Sequence, residues 1–263
     1  MLRVWTPGGD EMVTMPVEEA IDVTSLKKQL QKFCGLPRFR QRLLRESVVL
    51  DDDTKLSSPA DLQLVLLPFA DVDRSQITSI VSAAQSGRAS AVEEMLKLPQ
   101  DPSLGDHESR TALHGACMNG HMDVVQLLLE SACDMNATDN TGRTALHLAS
   151  GNGYVKILRL LVESAAHLDL RDRFGNTALH VAACEGMLGS VRALLQSGIC
   201  KDMVDHSGRT ALHDASQNGH IATVRVLLDA GACRDVEDED GLTAATYFGR
   251  FCFGHMDLVF KLH

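Results

Sequence analysis

The tetrapeptide Thr-Ala-Leu-His occurs four times, at 111–114, 144–147, 177–180 and 210–213, always 33 residues apart. A fixed period of this length means stacked copies of one small unit, because a unit of that size cannot bury its own apolar surface. A decayed copy stands at Thr243-Ala244-Ala245-Thr246, one period further on. One period back from Ala116 and Gly120 lie Ala83 and Gly87, so residues 75–98 read as a divergent first unit. About six units are expected over 75–263, with atypical ends.

Each unit has the same grammar. A Gly-containing turn comes first, as in Asp139-Asn140-Thr141-Gly142 and Asp172-Arg173-Phe174-Gly175. Glycine accepts the positive φ that closes such a hairpin. Thr then stands where a helix N-cap is needed. A short first helix follows, with Ala116, Ala149, Ala182 or Ala215 allowing close packing, and Gly120, Gly153, Gly186 or Gly219 ends it. A second helix carries the apolar stripe, as in Val124-Val125-Gln126-Leu127-Leu128-Leu129. The period, the Thr-Ala-Leu-His and the Asp-x-x-Gly-x-Thr turn resemble ankyrin repeats. That resemblance implies an all-α solenoid with β-hairpin turns and a protein-binding function. Ala112, Ala145, Ala178 and Ala211 stand where the family usually has Pro. In the last unit Gly254-His255-Met256-Asp257 falls two residues later than the period requires. It reads as a C-terminal cap with an insertion near 247–253, whose aromatics are either part of the cap or an exposed interaction spot.

Residues 1–69 do not share the period. Met1–Trp5 and 11–15 are strand candidates around the break Pro7-Gly8-Gly9. Thr24 or Ser25 is placed to cap a helix running to about Cys34, with Leu26, Leu30 and Phe33 on one face. Gly35 and Pro37 stop it, and 42–45, 48–50 and 62–67 read as further strands. The order is α+β. With Gly35-Leu36-Pro37 before Gln41-Arg42-Leu43-Leu44, and Gln63-Leu64-Val65-Leu66 near the end, this segment resembles ubiquitin. The resemblance implies a β-grasp domain whose apolar patch maps onto Leu44 and Val65, with Arg42 beside them. Gly8 and Gly9 stand where ubiquitin's first hairpin has a bulky residue, and no terminal Gly-Gly follows Phe69. The chain is thus expected to be multidomain: a ubiquitin-like domain over 1–69, a linker over 70–74, then the ankyrin stack.

Composition narrows the function. The net charge of −10 disfavours generic nucleic-acid or anionic-membrane binding. Residues 1–70 hold 9 Lys+Arg against 10 Asp+Glu, so nearly all the excess lies in the repeats. Aromatics are only 4%, which suits a core of many thin Leu, Val and Ala layers. Seven cysteines without a Cys-x-x-Cys read as small buried thiols, not as disulfides or a zinc site. No apolar leader or membrane span is visible, so a cytoplasmic or nuclear protein is expected. His114, His147, His180 and His213 cannot pool on one metal, because stacked helix pairs sit ~8–10 Å apart and zinc needs donors at ~2 Å. The resemblance makes them hydrogen-bonding ties. Cys184 with Glu185 is the sole candidate for nucleophilic chemistry, and a variable groove position explains it as well. No phosphate-binding loop, dinucleotide fingerprint or His-Glu-x-x-His occurs. No enzyme activity, cofactor or metal is expected.

Protein binding remains. The resemblance implies that hairpin tips and first helices line a concave face, and the positions there that vary between repeats are its candidate contacts: Arg143, Arg209, Asn152, Asn218, Glu185 and Asp214, with tip residues Arg173, Phe174 and His206. Phe174 is the best anchor, since an aromatic at an exposed turn has no folding role. Arg143 with Arg209, and Asp214 with Asn218, are expected to add polar specificity. Glu237-Asp238-Glu239-Asp240 reads as a solvated tip or an acidic finger. Asn136 resembles the asparagine that is hydroxylated in some ankyrin repeats, with loop hydrogen bonding as the simpler role. The expectation is a monomeric adaptor holding a protein client in the ankyrin groove, with the ubiquitin-like domain docking to ubiquitin–proteasome machinery. The alternative is a structural or inhibitory scaffold whose N-terminal domain only caps the stack.

Overall fold

The computed structural model describes residues 1–19, 22–69, 73–98 and 100–251. The proposed terminal cap around Gly254-His255-Met256-Asp257, and Cys252, lie outside them.

The N-terminal part is a five-stranded mixed sheet: β1 (Leu2–Trp5), β2 (Glu11–Met15), β3 (Gln41–Arg45), β4 (Val48–Val49) and β5 (Ala60–Leu66), crossed by helix α1 (Val23–Cys34). The spatial order is β2-β1-β5-β3-β4, with β1 and β5 parallel. This layout is compatible with a β-grasp. Alternation along the strands sends Leu2, Val4, Leu43, Leu62 and Leu64 inward, against Val23, Leu26 and Leu30 of α1. Asp22, not Thr24 or Ser25, caps the helix, accepting the Ser25 N–H at 2.7 Å. Phe33 corrects the expected apolar face: it is 59% exposed. Cys34, four residues after Leu30, packs against the core instead.

The second part is a stack of paired helices. First helices are α2 (Arg74–Gln85), α4 (Ala112–Asn119), α6 (Ala145–Gly151), α8 (Ala178–Cys184), α10 (Ala211–Gln217) and α12 (Ala244–Phe251). Second helices are α3 (Ala89–Leu96), α5 (Met122–Glu130), α7 (Val155–Glu163), α9 (Leu188–Gln196) and α11 (Ile221–Asp229). A single apolar cluster runs from Ile80 to Phe248 through every unit. Phe248 is fully buried, so this aromatic of the last unit belongs to the core and not to an exposed spot. The first unit starts at the Asp73 cap, inside the stretch read as linker, and Asp73 and Gln76 form a capping box.

The repeated histidines bind one unit to the next. In each, Nδ1 accepts the N–H of the capping Thr at 3.0–3.2 Å. That fixes the neutral tautomer with the proton on Nε2. Nε2 then donates to a carbonyl of the following hairpin: Arg143 for His114, Asn176 for His147, Arg209 for His180 and Leu242 for His213. Burial lowers the pKa of all four. Asn136 takes part in a parallel ladder. Its Oδ1 accepts the His167 N–H at 2.9 Å, as Asp169 accepts Cys200 N–H and Asp202 accepts Cys233 N–H.

The two parts meet through the turn before β3 and a few side chains of α1 and β3. Phe39, in the turn before β3, is 3% exposed and belongs to the ankyrin-side cluster. Arg38 lies over its ring at 4.0 Å. The Arg38 guanidinium reaches Glu130 at 2.9 Å, Glu93 at 3.0 Å and Asp52 at 3.4 Å. Lys28 adds a 2.7 Å bond to Glu130, and Arg42 donates to the Lys97 carbonyl.

Candidate protein-binding groove

The groove begins with the hairpin tips. Each tip aspartate clamps its own turn by accepting N–H groups two and four residues on: Asp139 from Thr141 and Arg143, Asp172 from Phe174 and Asn176, Asp205 from Ser207 and Arg209. Successive tips are also hydrogen-bonded to each other. Arg173 N–H donates to Thr141 at 3.0 Å, and His206 N–H donates to Phe174 at 2.9 Å. A rigid wall results, and α8 and α10 stand beside it. Between them is a groove of about 570 Å³, its lining including Thr141, Phe174, Val181, Cys184, Asp205 and Gln217.

The sequence-predicted residues divide into three groups. Phe174, Arg143, Glu185, Arg209, Asp214 and Asn218 all line this groove. Phe174 is 66% exposed. Glu185, at the end of α8, is exposed and makes no side-chain hydrogen bond or ion pair to the described residues. The other four already have partners within the chain. Arg143 is held back on Asp139 at 3.1 Å, and Asp214 is buried against Arg209. Asn218 spends its amide on the Asp214 carbonyl at 2.9 Å and Asn152 on the Leu148 carbonyl at 2.8 Å, each closing its own helix. Arg173, His206 and Asn152 lie outside the groove lining. Asp205 was not anticipated there. The signal for it was an Asp four residues before the position preceding each Thr, which reads as turn chemistry alone.

The electrostatics do not favour covalent chemistry. Burial raises the Cys184 thiol above its ordinary pKa, with Asp214 and Glu185 adding to the shift, so the reactive thiolate is disfavoured. The expectation of uniformly buried thiols is also corrected. Cys117 and Cys133 are buried and pushed up, Cys133 to about 12, whereas Cys184, Cys200 and Cys233 are exposed. Among the described residues no group of His, Cys, Asp and Glu is placed to hold a metal. No helix among them is long and apolar enough to cross a membrane. The acidic tip is not uniformly solvated, since Asp238 is buried and accepts the Tyr247 hydroxyl at 2.6 Å.

Known proteins agree with the stack. The crystal structure of the ankyrin repeat domain of Bcl-3, described as a unique member of the IkappaB protein family, is similar with a TM-score of 0.59 and 29% identity. The match covers 64% of this chain and 76% of that one. No curated protein sequence matches the chain significantly. Ankyrin repeats are protein-interaction modules. The family model for ankyrin repeats (3 copies) matches residues 80–172 and 166–240, and the chain belongs to the ankyrin-repeat family.

Proposed function

We propose that the chain is a non-enzymatic adaptor that holds a protein client in the groove centred on Phe174. The observation that carries this reading is a large aromatic, 66% exposed, at the mouth of a cavity of about 570 Å³ on a rigid, hydrogen-bonded wall. The N-terminal sheet supports a second contact. Its β2-β1-β5-β3-β4 order and parallel β1/β5 pair fit the ubiquitin-like resemblance. Directly paired residues share a face, so Leu44, Val49 and Gln63 lie together, beside the Val65/Arg42 pair. Leu44 and Val65 are half-buried and Val49 is exposed, whereas Arg42 is already engaged by Lys97. That patch is the proposed docking site for ubiquitin–proteasome machinery. Partners of the full chain, isolated beside Phe174→Ala and beside Leu44→Ala/Val65→Ala, test both halves. Clients lost with the first and ubiquitin-system proteins lost with the second support the adaptor. A partner set unchanged by either substitution refutes it.

The Arg38 and Phe39 interface favours the alternative in which the N-terminal domain caps the stack. The two roles exclude each other only if the Leu44/Val65 face has no partner. A chain starting at residue 73 should then lose stability by several kcal/mol while losing no binding partner.

A further inference from the structure

The residue before each capping Thr has a standard role that one repeat breaks. Arg110 returns to the tip carboxylate of Asp106 at 3.2 Å, Arg143 to Asp139 at 3.1 Å, and Asn176 to Asp172 at 3.3 Å. Arg209 has the same option in Asp205, four residues back, whose Oδ1 holds the turn as in the other repeats. It turns instead into the groove and pairs with Asp214, stacking 5.5 Å from the Tyr247 ring and leaving its buried Nε without an acceptor. Asp214 stands where the preceding repeats have Gly115, Leu148 and Val181.

The groove is therefore short of positive charge. The Arg143 guanidinium is committed to Asp139, and Asp172 already accepts three N–H groups. One cation, Arg209, is left for three carboxylates: Asp205, Asp214 and Glu185. Burial above all, with the nearby Asp205 adding, raises the Asp214 pKa to about 7 despite Arg209 beside it. An incoming cation between Glu185 and Asp214 corrects the shortage, and Arg209 then has the repeat-standard acceptor Asp205 to return to. Phe174 supplies an aromatic face at the same mouth, suited to an apolar neighbour or to the cation itself.

We infer that this groove takes a Lys or Arg side chain of an extended partner segment, seated on Glu185 and Asp214, next to an apolar residue packed on Phe174. The inference rests on the groove being the client site and deepens it to a partner chemistry.

The test uses the full chain and a phage-displayed library of random dodecapeptides. Enriched peptides should carry Lys or Arg beside an aromatic or large aliphatic residue. A fluorescein-labelled consensus peptide should lose about tenfold or more in affinity when its basic residue becomes Gln. Glu185→Gln and Asp214→Asn should each reproduce that loss, and Glu94→Gln on the exposed face of α3 should not. Glu185 is exposed, so its substitution reads binding even if the Asp214 variant folds poorly. Peptides that depend on Phe174 but carry acidic or neutral consensus residues overturn the cation inference and leave the groove reading standing. Peptides indifferent to Phe174→Ala, or no enrichment at all, overturn both.

Discussion

Arg38→Ala should uncouple the two parts of the molecule. The wild-type side chain keeps only 5% of its surface in water while its guanidinium bridges Glu130, Glu93 and Asp52. Breaking a fully buried ion network costs about 3–5 kcal/mol. Here the loss is smaller for two reasons. Glu93 and Glu130 retain 37% and 36% of their side-chain surface, so water can resolvate them. Glu130 also keeps Lys28, and Asp52 keeps Lys27 at 2.6 Å. Removing the packing over Phe39 adds to the cost. The expected total is about 2 kcal/mol. The chain's one Trp, Trp5, sits on β1, so its fluorescence follows the N-terminal sheet. Far-UV circular dichroism follows mainly the helical stack. With a urea slope of ~1 kcal/mol/M for a domain of that size, the fluorescence midpoint should fall by about 2 M. The dichroism midpoint should fall less, and transitions that coincide in the wild type should separate. Arg45→Ala, an exposed substitution on β3, is the control. A fluorescence midpoint within about 0.3 M of wild type would refute the claim that this network holds the parts together.

Phe174→Ala should leave thermal unfolding unchanged within about 0.5 kcal/mol, because the ring is mostly in water, yet weaken a groove-bound client by ~2 kcal/mol or about 30-fold in a titration. Gly186→Ala should cost roughly 2 kcal/mol in urea unfolding, since the residue has φ +64° and a Cβ would sit 2.5 Å from His220 Nδ1; unchanged stability would mean the repeat junction yields freely. Acid should weaken the stack through the four tied histidines. Their folded pKa values lie below the unfolded value, so the unfolded chain binds protons first as pH falls. Their contribution is complete above about pH 6.5 and is lost below it, at up to ~1.4 kcal/mol per pH unit for each proton. Asp214 works in the opposite direction: its folded pKa of about 7 exceeds the unfolded value, so it adds stability as pH falls from 7 towards 4. Denaturant midpoints between pH 7.5 and 5.5 should therefore decline, and decline more steeply in Asp214→Asn; a flat profile in both would show that the histidines stay neutral in neither state.

The parts of this fold that were legible in the sequence are those fixed within one repeat. Thr111 and His114 are three residues apart, and the turn, cap and tie they form recur every 33 residues, so four copies vote on each feature. Phe174 was legible for the complementary reason: it departs from a frame that the other copies define. Features made between distant positions had no such signal. Arg38 meets Glu93 and Glu130 across 55 and 92 residues, and in sequence it is one of several cations in a locally basic stretch. Arg42, read as part of an open patch, is taken up by the Lys97 carbonyl, a backbone group that no residue type announces. The pairing of Arg209 is intermediate. Its neighbours Asp205 and Asp214 are both visible in the sequence, but the choice between them depends on burial and on Tyr247, which arrives from the next repeat. A periodic chain thus displays its scaffold in what repeats and its candidate contacts in what varies, while the energy that selects among those contacts comes from packing between units.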